Sequence, residues 1–152
     1  MKRIVISPFS KPLRNGKKNA KNYPYWKSLI EILLSRGDKS IQVGIEGEEN
    51  LNTGVFLKNL PLRDLKNLIQ SCDLWISVDN FMNHLGTWVE KKGIVIFGKS
   101  DPKIFGYEQN INVLKDKKYL RDNQFYYWEE EEYNKDVFVS PETIIKIIDE
   151  NF

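Results

Sequence analysis

Short β-branched and aliphatic runs alternate along this chain with longer stretches whose apolar positions recur every three or four residues, the pattern of strands alternating with helices. It predicts strands at Arg3–Ser7, Ser40–Gly44, Gly54–Leu57, Leu74–Val78, Gly93–Phe97 and Ile111–Leu114. The stretch Tyr25–Arg36 carries Trp26, Leu29, Ile30, Leu33 and Leu34 as a helical stripe, and Gly37 is a natural stop. After Leu60, Pro61 in the first turn opens a helix with Leu62, Leu65, Leu68 and Ile69 on one face. Ser140 and Pro141 supply an N-cap and a first-turn proline for Glu142–Asn151, where Ile144, Ile145, Ile147 and Ile148 seek burial. Residues 115–135 break the rhythm with aromatic and charged residues and are expected to be irregular.

Strands and helices in this order imply βαβ units around a buried parallel sheet. The predicted fold class is α/β, a three-layer, doubly wound, Rossmann-like domain of six parallel strands spanning residues 1–152. Right-handed crossovers then bring every strand's carboxyl end to one edge of the sheet, where open α/β sheets bind ligands. Four polar or glycine-rich turns are predicted at that edge. Pro8–Tyr23 is a long basic loop with Lys11, Arg14, Lys17, Lys18 and Lys21, and Gly44–Glu49 is an acidic turn. Asp79-Asn80 follows the fourth strand, and Gly98–Asp101 the fifth. Ammonium groups and helix-start N–H groups neutralise phosphate, while a carboxylate accepts hydrogen bonds from ribose hydroxyls, so charges of both signs suit a nucleotide diphosphate.

Composition narrows the function classes. The 152 residues carry a net charge of +2, which gives no signal for non-specific nucleic-acid binding, so phosphate recognition must be local. The one cysteine, Cys72, excludes an internal disulfide and a Cys/His metal site, and no metal is expected. The start, Met1-Lys2-Arg3, lacks the apolar stretch of a signal peptide, and no run reaches membrane-spanning length, so a reducing, cytoplasmic setting is expected. Trp26, Trp75 and Trp88 are expected in the core. The run Glu129–Glu132 is expected on a solvated face, with a partner-binding patch as the lesser reading.

In order, Lys21-Asn22-Tyr23-Pro24, Gly44–Glu48, the Leu-rich Leu62–Ser71, Asp79-Asn80-Phe81-Met82-Asn83-His84-Leu85 and Phe97–Pro102 match a family series. With the closing Val139-Ser140-Pro141-Glu142 helix start, residues 3–114 resemble the carboxyl-terminal half of the heptosyltransferase-like GT-B glycosyltransferases. That resemblance implies a domain that binds a nucleotide-diphosphate sugar, ADP-, UDP- or GDP-linked, without a metal or further cofactor. It implies a phosphate-contacting role for Lys21 and a ribose-binding role for Glu46 or Glu48. Asp79 and Asn80 fall in the turn that cradles the diphosphate, His84 matches the histidine of the following helix, and Gly98 falls in the later glycine turn. Asp79 also fits a plain helix N-cap, and His84 a structural histidine. The family's Gly-Pro is replaced here by Phe81-Met82, and its later proline by Lys99.

In the resembling enzymes the acceptor site and general base lie on an amino-terminal half. A glycosyltransferase reading therefore implies a partner chain or homo-oligomer that supplies the acceptor side, or a minimal single-domain enzyme; the alternative is a noncatalytic nucleotide or nucleotide-sugar binding module. A receiver- or flavodoxin-like domain needs an acidic cluster or phosphate loop after the first strand, and Ser7-Pro8-Phe9-Ser10 is neither.

Overall fold

The computed structural model describes all 152 residues, Met1 to Phe152. Its strands are β1 (Arg3–Ser7), β2 (Lys39–Gly44), β3 (Val55–Lys58), β4 (Leu74–Val78), β5 (Ile94–Phe97) and β6 (Ile111–Leu114). They form one sheet in the order β3-β2-β1-β4-β5-β6, and every neighbouring pair is parallel. The helices are α1 (Trp26–Ser35), α2 (Leu62–Ser71), α3 (Phe81–Trp88), α4 (Pro102–Phe105) and α5 (Pro141–Asn151). No helix is long and apolar enough to cross a membrane.

Side chains alternate across a strand, so the central strands feed two cores. Ile4 and Ile6 of β1, Leu74, Ile76 and Val78 of β4, and Ile94 and Ile96 of β5 join Leu29, Ile30 and Leu33 of α1 and Ile144 and Ile148 of α5. Val5, Trp75, Val95 and Phe97 point the other way, onto Ile69 of α2 and Met82 and Leu85 of α3. Helices therefore cover both faces, as the near-continuous apolar strands require. Trp75 shapes the second layer. Its fully buried indole donates to the Lys91 carbonyl at 2.7 Å, and a Cβ on Gly86 or Gly93 would overlap the ring. Glycine at both positions lets α3 and the start of β5 close on the tryptophan.

Trp88, expected in the core, is 68% exposed, with Lys66 Nζ 5.1 Å from its ring centre. Helix geometry is the reason: Trp88 lies about 240° around α3 from the buried Met82, on the solvent side. His84, about 200° around from Met82, is exposed for the same reason.

Residues 115–139 are irregular but ordered. Three short 3-10 turns, at Lys117–Tyr119, Trp128–Glu130 and Lys135–Val137, punctuate them, the first and third capped by Asp116 and Asn134. Val137 and Phe138 are buried in the α1/α5 core. The acidic run is only partly solvated, because Glu131 bonds Lys99 at 2.8 Å and Arg121 at 3.1 Å.

The reversal of strand order falls between β1 and β4, and their carboxyl ends lie side by side. Such a switch point leaves a crevice outside the strand ends.

Candidate functional site

That crevice is a cleft of about 880 Å³. The turn after β4 forms its floor. Asn80 caps α3, its Oδ1 accepting from the Met82 N–H at 2.9 Å, while its Nδ2 donates to the Ser7 carbonyl and hydroxyl and to the Phe9 carbonyl, each at 3.1 Å. One side chain thus starts the helix and stitches the β1 and β4 ends together. Asp79, the alternative cap, is thereby released. Its carbonyl accepts the Ser10 hydroxyl at 2.9 Å, and its carboxylate turns to Lys21, with Nζ 3.2 Å from Oδ2. That contact is an ion pair without hydrogen-bond geometry, since the buried Oδ2 has no placed donor.

The basic loop is shaped by asparagines. Asn19 accepts the Lys21 N–H at 3.0 Å and donates to the Lys11 carbonyl at 3.0 Å, and Asn22 accepts the Ser10 N–H at 2.8 Å. These short-range bonds from side chain to backbone hold a loop that has no ladder of its own. Lys11, Arg14 and Lys21 line the cleft. Lys17 and Lys18 do not; Lys18 Nζ instead lies 4.1 Å over the Tyr133 ring.

Opposite stand Glu48 and an apolar wall that includes Val43, Ile45, Leu57, Leu62 and Phe81. Glu48 folds its carboxylate over Gly44, into the space a Cβ there would take. Burial pushes the Glu48 carboxyl above its ordinary range, partly offset by a backbone hydrogen bond from Ile45. Trp128 and Glu129, from the irregular segment, also line the cleft beside the basic loop, with the Trp128 ring centre 4.9 Å from Lys21 Nζ.

Lys21, Glu48, Asp79 and Asn80 are therefore brought together at one cleft. Three other expected site residues stand apart from it. Glu46 points into solvent and pairs with Lys58 at 3.4 Å. His84 lies on the outer face of α3, its Nδ1 2.8 Å from the Tyr107 hydroxyl. Gly98 is closed over by the Phe138 ring and the Val137 side chain, about 2.8 Å from where its Cβ would stand. Trp128 was not anticipated as a site residue, because no periodicity marks its segment. Chemically, the cleft offers fixed cations at a helix start, one carboxylate beside a glycine turn, and an apolar surface wide enough for a ring.

The family model for glycosyltransferase family 9 (heptosyltransferase) matches residues 8–133. Among solved structures, E. coli heptosyltransferase WaaC with ADP aligns with a TM-score of 0.70 at 16% identity, over 99% of this chain and 44% of that one. E. coli ADP-heptose LPS heptosyltransferase II aligns at 0.67 and 12% identity, over 98% and 46%. A glycosyl transferase family 9 protein of Veillonella parvula DSM 2008 aligns at 0.74 and 17% identity, over 97% and 45%. At such identities the likeness is one of fold, and the chain spans under half the length of these proteins. Among curated proteins none matches in sequence.

Proposed function

The chain belongs to glycosyltransferase family 9, the heptosyltransferase family, and from that premise we propose that its cleft binds the nucleotide-diphosphate part of a sugar donor, as the donor half of a glycosyltransferase. The observation that carries the reading is the Lys21 ammonium, held beside Asp79 at the β1/β4 switch point in a cleft that Lys11 and Arg14 also line. Diphosphate enters between that cationic loop and the amino end of α3, whose first N–H groups have no carbonyl partner within the helix. Glu48 accepts from ribose hydroxyls, and the apolar wall takes the base.

During transfer, the bond from the sugar's anomeric carbon to the diphosphate oxygen breaks, and negative charge grows on the departing phosphate. Lys21, Lys11, Arg14 and the helix start stabilise that charge where it develops, the electrostatic part of the catalysis. Asp79 keeps Lys21 oriented. The acceptor hydroxyl and the base that deprotonates it are assigned to a second surface that faces the cleft.

Selective binding to the folded state raises the melting temperature by mass action. At least one of ADP, UDP and GDP, or their sugar conjugates, at millimolar concentration should raise it. No shift with any of them contradicts the reading, and release of nucleoside diphosphate from a sugar donor reports transfer itself.

A further inference from the structure

The segment from Arg121 to Tyr133 reaches the cleft only at Trp128 and Glu129, yet it is bonded from end to end. Glu131 takes Lys99 on one carboxylate oxygen and Arg121 on the other. Lys99, at the position where the family pattern has proline, also donates to the Glu132 carbonyl at 2.7 Å. The buried Arg121 guanidinium donates to the Tyr127 carbonyl at 3.2 Å and lies 4.0 Å over the Trp128 ring. The same segment grips the basic loop: Asn15 donates to the Glu129 carbonyl at 3.2 Å, and the Tyr133 hydroxyl to the carbonyl of Asn22, next to Lys21, at 2.8 Å. Burial pushes that Tyr133 hydroxyl up to about 12, so it stays a donor at any ordinary pH.

These bonds converge on one contact, the Trp128 ring beside the Lys21 ammonium at 4.9 Å. We propose that Trp128 is a positioning residue for the diphosphate site: its indole, clamped through Arg121, Glu131 and Lys99, fixes the Lys21 ammonium between the ring and Asp79 before phosphate arrives. This inference rests on the donor-site reading. A lysine stem loses much rotamer freedom when ordered, and ordering it in advance removes that cost from binding. An aromatic face suits the task because its quadrupole attracts the cation without neutralising it. A second carboxylate in its place would cancel the charge that phosphate needs. The acidic run acts at one remove, with Glu131, itself bonded by Lys99, holding the arginine that lies over the indole.

The test compares Trp128→Leu, Trp128→Phe and Glu131→Gln with the wild type, titrating ADP, UDP and GDP and the matching nucleosides by NMR. In the wild type, the Lys21 ε-methylene protons should be displaced upfield by the indole and should return towards ordinary values in Trp128→Leu. Trp128→Leu should weaken the diphosphate that binds by about three- to tenfold and leave the nucleoside unchanged. Trp128→Phe should keep most of the affinity, and Glu131→Gln should show the same selective loss, smaller in size. Unchanged diphosphate affinity in both Trp128→Leu and Glu131→Gln overturns the inference, as does equal loss of nucleoside and diphosphate. If the wild type binds diphosphate and these variants match it, only the inference fails. If the wild type binds none of the three, the donor-site reading fails and takes the inference with it.

Discussion

The turns after β4 and β5 are written in similar residues and end differently. Each follows a buried strand, each carries a helix cap with Oδ1 bonded two residues ahead, Asn80 to Met82 and Asp101 to Lys103, and each leads into a helix. The first opens on the cleft. The second is filled: Phe138 and Val137 cover Gly98, the Lys99 ammonium is taken by Glu131, and Gln124 Oε1 occupies the Asp101 N–H at 2.9 Å. A strand-end turn becomes a ligand site only where no distant part of the chain takes its donors first. Here the distant part is the 115–139 segment, which closes one turn and lends the other a tryptophan.

The largest effect that would sharpen this contrast is Phe138→Ala. Truncating a fully packed aromatic should cost about 3–5 kcal/mol of stability in chemical denaturation. Nucleotide affinity should hold in the fraction that stays folded, since the Gly98 turn does not line the cleft. A loss of affinity without loss of stability would break the contrast.

Next in size is Lys21→Ala on the open turn. Removing a charged phosphate contact should weaken nucleoside diphosphate by about ten- to a hundredfold, read by calorimetry. Stability should fall as well, by about 1–3 kcal/mol, because the buried Asp79 carboxylate loses its ion-pair partner.

Much of this could be read before any coordinates. The bounds expected for β1, β4 and β6 coincide with those found, and β2, β3 and β5 move by one residue. Apolar runs bounded by turns are a strong signal when strands are buried on both faces. Lys21 and Asp79, 58 positions apart in the chain, could be paired because parallel topology forces their strand ends together. Helix period alone would have turned Trp88 and His84 to solvent, had the stripe been drawn from Met82 and Leu85. The closure of Gly98 by Phe138 was not legible. It depends on packing between residues 40 positions apart, in a segment ordered by ion pairs and capping turns rather than by a repeating pattern. Trp128 stayed hidden for the same reason.

A smaller effect is expected at Glu48. Its folded carboxyl binds its proton more tightly than the ordinary value of 4.5, so the folded state holds that proton where the unfolded chain has released it. Stability from this group therefore falls as pH rises through the window between the ordinary and the raised value. Its ionised form is unfavourable at neutral pH. Glu48→Gln should raise the melting temperature slightly at pH 7, with the gain vanishing below pH 4.5. A gain of equal size at every pH would mean that burial of the charge is not its cause. The smallest effect belongs to Trp88→Ala, which should change stability by less than about 0.5 kcal/mol because the ring is already in water.

The most direct test of the open-versus-closed account is an amide NMR titration of the isotope-labelled chain with ADP, UDP and GDP. The account predicts that signals of Asn80, Phe81, Met82 and the Lys21 loop move together with the nucleotide that binds, while those of Gly98, Lys99 and Ser100 stay in place. Shifts centred on the β5 turn, with the β4 turn silent, would contradict it.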